Sequence, residues 1–179
     1  MEANVRFTHQ ALVEQSKAGN QNAQYQLYGL YVDAMFNVAM RLLTIREDAE
    51  DVLQESFVEA FKKLDTFRFE STFGAWLKRI VINRSINHLK AKRLLLSSLE
   101  NEGEPAEEEE TELVPDFEIE KIKMGLGQLP EGYKQIITLY LIEGYDHVEI
   151  GQILGISTST SKSQYHRAKK KLVQIVNEL

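Results

Sequence analysis

Apolar residues along this chain recur every three to four positions, and no stretch shows the apolar–polar alternation of a strand bounded by turns. The pattern predicts an all-α fold. Thr8 can cap a first helix containing Ala11, Leu12 and Val13, with Gly19 just past its end. Leu27 to Leu43 is rich in Leu, Tyr, Met and Phe and reads as a buried helix. Thr44-Ile45-Arg46-Glu47 has the form of a capping box. It opens a periodic helix with Ala49, Val52, Leu53, Ser56, Phe57, Ala60, Phe61 and Leu64 on one side, and Asp48, Asp51, Gln54, Glu55, Glu59 and Lys62 on the other. Asp65 to Phe73 has no clear period. Ser71 is a candidate cap for the next helix, which carries Phe73, Trp76, Leu77, Ile80 and Val81 and then turns basic and polar through Arg93. Regular pattern resumes at Ile119, passes Leu129-Pro130, and continues through Ile136, Ile137, Leu139, Tyr140 and Leu141 until Gly144.

The last stretch, Asp146 to Leu179, predicts two helices joined by a tight turn. Asp146 with Glu149 three residues later forms a helix start, and Ile150, Ile153 and Leu154 give that helix an apolar face. Gly155 can end it in the left-handed conformation, and Ser157 to Thr160 offers N-caps for the second helix. At about 100° per residue, Tyr165, Ala168, Leu172, Ile175, Val176 and Leu179 share one stripe. Ser159, Ser163, His166, Arg167 and Lys170 fall opposite, with Lys162 and Lys169 at the flanks. One face packs while the other offers hydroxyls and positive charge, which suits a helix-turn-helix whose second helix enters the major groove of DNA. A helical hairpin with a solvated basic face is the alternative, and a basic amphipathic helix by itself does not separate the two.

Charge divides the chain. Residues 100–120 hold eleven acids and no base, so the formal charge of −6 conceals two mildly basic blocks: 13 bases against 11 acids in residues 1–99, and 8 against 5 in residues 121–179. The acidic stretch, with Glu107 to Glu110 between Pro105 and Pro115, carries too little apolar surface to order itself. The expectation is therefore two small helical domains, residues 1–96 and 121–179, joined by a flexible acidic linker at 97–120. Segregated charge of this kind suits a protein that binds a polyanion. With no cysteine there are no disulfides and no thiolate metal sites. No apolar run is long enough to span a membrane, and Met1 is not followed by the segments of a signal peptide, so a cytoplasmic chain without membrane insertion is expected.

Candidate chemistry points to binding. Asp48, Asp51, Glu55 and Glu59 share a helix face, but no His joins them at ligand spacing, so a solvated acidic face is expected in place of a metal site. No nucleophile elbow, phosphate-binding glycine loop or zinc motif is present, and no catalytic residue or cofactor is expected. Phe67 to Arg93 interleaves aromatics with Lys and Arg, a composition that serves either unpaired bases and phosphates or a plain core. Trp76 is expected to divide between the two roles.

Five segments taken in order resemble bacterial RNA polymerase sigma factors of the extracytoplasmic-function (ECF) group: Asp48 to Phe57; Phe67 to Phe73 with Trp76, Leu77 and Ile80; Asn83 to Arg93; Leu129 to Tyr133; and Gly155-Ile156-Ser157 with Lys162-Ser163 and His166-Arg167-Ala168. The resemblance covers nearly the whole chain. It implies a first domain that binds the clamp helices of the polymerase's largest subunit and melts and reads the minus-ten promoter element, and a second domain that reads the minus-thirty-five element. By the same resemblance Asp48, Asp51, Gln54 and Glu55 face core RNA polymerase. Phe67, Arg68, Phe69, Glu70, Ser71 and Trp76 form or adjoin the loop that receives a flipped base, and Asn83 and Asn87 face the same DNA. Ser159, Lys162, Ser163, His166, Arg167 and Lys170 face upstream promoter DNA. The linker is implied to lie along the polymerase's basic RNA path, and an anti-sigma factor is a further implied partner. Ser161 stands where the family usually has an apolar residue such as Val, and the helical wheel also turns it toward the core; Gln164, Tyr165 and Asn87 replace a frequent Arg, Leu and Asp. The expectation from these departures in the second domain is lower stability or an unusual base preference. Two other readings of the residues are a helix-turn-helix regulator acting without polymerase, and an adaptor whose acidic tether docks a basic protein.

Overall fold

The computed structural model describes residues 9–97 and 119–179, with side chains at 96 and 97 left aside. The Thr8 cap and nearly all of the acidic linker lie outside the described residues. Those that are described form helices, turns and short connections, without strands. The chain divides into two compact units, Met1–Ala91 and Lys92–Leu179.

In the first unit, α1 (Gln10–Lys17) ends at Ala18, and Gly19 turns the chain at φ 85°. Asn20 then caps α2 (Gln21–Leu43) by accepting from the Ala23 amide at 3.1 Å. This satisfies one of the amides that a helix start leaves unpaired. Leu27, Val38, Ala39 and Leu42 of α2 are buried, but Tyr25 and Leu30 are exposed, so α2 is amphipathic and not buried all round. Helix α3 (Arg46–Lys62) carries Ala49, Val52, Leu53, Ser56, Phe57 and Ala60 inward, as its periodicity predicts. Its start differs from the sequence expectation. Ile45 is the N-cap, without a side-chain cap, and Thr44 takes φ 67° at the C-cap of α2. The connection between the helices is so short that Thr44 ends one before it can open the next.

A single 3-10 turn (Leu64–Thr66) leads to the loop before α4 (Phe73–Ser97). The cap of α4 is Thr72, whose Oγ1 accepts from the Ala75 amide at 3.1 Å; Ser71, the expected cap, sits one residue too early and is exposed. Phe73, Leu77, Val81, Ile82, Ile86 and Leu89 of α4 are buried. At its first turn, a Cβ on Gly74 would stand 2.8 Å from Cε1 of Tyr31. The bare backbone there lets Tyr31 pack edge-on against Phe73 (centroids 5.2 Å apart) while its hydroxyl bonds His9 Nδ1 at 2.7 Å. Burial raises the Tyr31 pKa above the ordinary phenol value.

The second unit contains α5 (Ile119–Gln128), α6 (Glu131–Ile137), α7 (His147–Leu154) and α8 (Thr158–Glu178). After α6 the chain widens into a π-helical turn, Thr138–Ile142, closed by the Glu143 amide on the Thr138 carbonyl at 3.0 Å. The wider turn keeps Leu139 fully buried but leaves Tyr140 and Leu141 outward, where the sequence pattern places them in an apolar helix. Gly144 then turns the chain at φ 78°. The core gathers Leu129, Ile137, Ala168 and Ile175, flanked by Leu126, Tyr133, Tyr165 and Leu172. Gly125 of α5 meets α8 at close range: a Cβ would lie 2.7 Å from Val176 Cγ2.

Candidate polymerase and nucleic-acid interfaces

The helix-turn-helix forms as its local chemistry dictates. Asp146 accepts from the Val148 and Glu149 amides at 2.8 Å, and Glu149 Oε2 accepts from the Asp146 amide at 3.0 Å, completing a capping box on α7. Gly155 ends α7 at φ 73°, and Ser157 Oγ accepts from the Thr160 amide at 3.0 Å to start α8. Gly151 allows the turn to fold back closely, since a Cβ there would stand 2.8 Å from the Ile156 carbonyl oxygen. On α8, Ser159, Lys162, Ser163, His166 and Arg167 are exposed and Lys170 is half-buried. Ser159, Ser163, His166, Arg167 and Lys170 share the face opposite Ala168, Ile175 and Val176, with Lys162 at its flank. The face is preformed: the Ser159 and Ser157 hydroxyls share a hydrogen bond at 2.9 Å, and Ser163 Oγ donates to the Thr160 carbonyl at 3.1 Å.

Ser161 is fully buried, as the helical wheel predicts, but it has a partner. His147 Nδ1 lies 2.9 Å from Ser161 Oγ, and the imidazole is stacked on Tyr140 with centroids 4.6 Å apart. Tyr165 closes the group, 4.5 Å from Tyr140. An unpaired buried hydroxyl would cost roughly 1–3 kcal/mol; the His147 contact offsets that cost, so the weakening expected from Ser161 loses its physical basis. Burial and then the neighbouring Tyr140 raise the Tyr165 pKa.

The loop between α3 and α4 separates its candidates by depth. Phe67 is buried beneath the loop, its ring 4.8 Å from that of Phe69 and 5.3 Å from that of Trp76. Phe67 is thus a core residue that supports the loop, and its ring is not available to stack on a base. Arg68, Glu70 and Ser71 are exposed, and Phe69 and Trp76 are half-buried. Phe69 holds φ 57°, a conformation uncommon for a bulky side chain.

A cleft of about 540 Å³ lies between α3 and α4. Its lining brings together Trp76, Asn83 and Asn87 with Glu55, all given a binding role from sequence, and adds residues that were given none: Arg84, Glu59, Lys63 and His88. Arg84 is clamped by two carboxylates of α3. Its Nη1 donates to Glu55 Oε2 at 2.6 Å and its Nε to Glu59 Oε2. Lys63 also donates to Glu59, at 2.6 Å. The Lys63 bond first, and then Arg84, hold the Glu59 carboxyl below its usual pKa, and the Glu59 bond raises that of Arg84.

The acidic face of α3 is therefore split. Asp51 and Gln54 are exposed to solvent. Glu55 is exposed but bound to Arg84, and the half-buried Asp48 stands 3.2 Å from His88 Nε2. Among the described residues no three acidic, His or Cys side chains converge as a metal would require, and no helix is long and apolar enough to cross a membrane.

These features define an all-α chain of two units, the second closing in a helix-turn-helix with an exposed basic and hydroxyl face. Comparison with known proteins makes the class specific. Residues 27–94 match the family described as Sigma-70 region 2, and residues 119–172 match Sigma-70, region 4. The chain is 30% identical to the ECF RNA polymerase sigma-E factor of Haemophilus influenzae, over 97% of this chain and 98% of that protein. It is 27% identical to the ECF RNA polymerase sigma factor SigW of Bacillus subtilis, over 93% of this chain and 96% of that one. Among solved structures, CnrH in complex with the cytosolic domain of CnrY superposes with a TM-score of 0.56 at 27% identity, covering 94% of this chain and 96% of CnrH. The chain belongs to the ECF group of RNA polymerase sigma factors, and it directs transcription initiation. A helix-turn-helix regulator independent of polymerase is not favoured by these matches.

Proposed function

We propose that the two units divide promoter recognition between them. The exposed Asp51 and Gln54 of α3 dock on the clamp helices of the polymerase's largest subunit. The loop at Arg68 to Ser71, with Trp76, Asn83 and Asn87 along the cleft, receives and reads the unpaired minus-ten strand. The α8 face of Ser159, Lys162, Ser163, His166, Arg167 and Lys170 reads the minus-thirty-five element as duplex. The chain supplies no catalytic group; the polymerase performs the chemistry, in the cytoplasm. Extruding bases costs about a few kcal/mol, which such a loop and cleft can offset by contacts to the freed bases. The acidic linker follows the polymerase's basic RNA path. An anti-sigma partner is part of the same proposal; CnrH, which this chain resembles, is solved in complex with the cytosolic domain of CnrY.

One observation supports the division most strongly. An exposed acidic and amide strip on α3 suits a basic protein surface and would repel phosphate, while the exposed face of α8 suits phosphate and base edges. The test is charge reversal confined to side chains that face solvent, Asp51→Lys with Gln54→Lys. The folded double variant is expected to lose core polymerase binding, because like charges in contact can cost several kcal/mol. Assembly with core polymerase at wild-type affinity would remove α3 as the docking helix.

A further inference from the structure

The end of α1 reaches the loop between α3 and α4 across 50 residues of sequence: Lys17 Nζ donates to the Phe67 carbonyl oxygen at 2.6 Å. The same ammonium lies 5.1 Å from the Phe69 ring centroid and 5.9 Å from that of Phe67, within range of cation-π attraction. Lys17 is half-buried, so these contacts are only partly screened by water.

The loop needs such a brace. Phe69 holds φ 57° without being glycine, and a bulky residue persists there only when its surroundings hold it. Phe67, buried against Phe73 and Trp76, anchors the loop from below. A hydrogen bond from a charged donor to its carbonyl fixes the plane of the peptide that leads into Arg68. The ring contact then holds Phe69, after which Glu70 and Ser71 emerge into solvent. The brace is itself fixed. Gln24 Nε2 donates to the Ser16 carbonyl at 3.2 Å, and the Asn20 amide donates to the Gln15 carbonyl at 3.0 Å, so the end of α1 is tied to the start of α2.

We propose that Lys17 is a positioning residue for the loop of residues 65–72, presenting Arg68, Glu70 and Ser71 to unpaired promoter DNA in one arrangement. This rests on the reading of that loop as the reader of the downstream element. The test uses holoenzyme reconstituted from core polymerase and the full chain, on a promoter fragment selected by the wild-type holoenzyme. Strand opening is read by permanganate reactivity, alongside core polymerase affinity and upstream base preference. Lys17→Met is expected to lower opening by about tenfold, the scale of one charge-assisted hydrogen bond. Core affinity and upstream preference should stay at wild-type values, and Lys17→Arg, which keeps the donor and the cation, should restore most of the opening. Wild-type opening by Lys17→Met, with opening altered by Glu70→Ala paired with Ser71→Ala, would overturn the role of Lys17 and leave the loop reading intact. Wild-type opening by all of these variants would overturn both. Parallel losses of core affinity and opening, or no rescue by Lys17→Arg, would show a general structural contribution and overturn the positioning role.

Discussion

The helices proposed to face DNA in the two units are prepared in opposite ways. Helix α8 presents Lys162, His166 and Arg167 to solvent on a face whose geometry is set within a few residues, by the Ser157 cap and the turn at Gly155. Helix α4 presents Asn83 and Asn87 beside an arginine whose guanidinium is held by Glu55 and Glu59 from α3. The proposed targets account for the contrast. A duplex groove is a fixed shape that a rigid, exposed helix can meet directly. An unpaired strand has to be taken out of its stack, and the cleft proposed to meet it holds an arginine already paired with two carboxylates. Through the Glu55–Arg84 pair, the helix proposed to touch polymerase is tied to the helix proposed to touch DNA.

The comparison can be broken at its supports. The largest effect is expected at Phe67. If it is core, Phe67→Ala should lower the unfolding free energy of the first unit by about 3–5 kcal/mol, the cost of emptying a buried aromatic site. Chemical denaturation reads this, and a fully stable variant that has lost only promoter opening would return Phe67 to the DNA surface. A smaller loss is expected in the second unit. Gly151→Ala drives a methyl against the Ile156 carbonyl, and overpacking of that kind costs about 1–3 kcal/mol. It should weaken upstream DNA binding while core polymerase affinity holds, and equal losses of both would deny the units their independence.

The smallest effect belongs to the clamp on Arg84. Because the folded-state pKa of Glu59 is lowered, its contribution to stability is present above the unfolded value, about 4.3 for Glu, and is lost as pH falls from there through the folded value. Arg84 is over a third exposed, so the contribution is screened and should remain below about 1 kcal/mol. Glu59→Gln should flatten this part of an acid titration of stability, and an unchanged acid limb would mean that the pairing does not survive in solution.

What the sequence reveals follows the range of the physics. Asp146, Gly155 and Ser157 could be placed because caps and left-handed turns are settled within four residues. Thr44 and Ser71 also look like caps, but which hydroxyl serves depends on where the preceding connection ends. Thr44 is used to end α2, and Thr72 is used one residue beyond Ser71. The stripe of α3 was legible, yet periodicity could not show that Asp48 and Glu55 lean toward α4, because their partners His88 and Arg84 lie on another helix. Phe67 was ambiguous because its composition suits a core and a base stack equally. Ser161 could be turned inward from a helical wheel, but its partner His147 is 14 residues away, and only the fold brings the two together.

The central claim is that each unit reads its own block of promoter sequence, Asn83 in the first and Arg167 in the second. The measurement that tests it is sequencing of promoter fragments opened by holoenzyme carrying wild-type chain, Asn83→Ala or Arg167→Ala. Arg167→Ala should relax preference at an upstream base pair by about 1–3 kcal/mol and leave the downstream block unchanged. Asn83→Ala should do the reverse. If either variant altered both blocks, or if neither altered its own, the division of recognition between the two units would be contradicted.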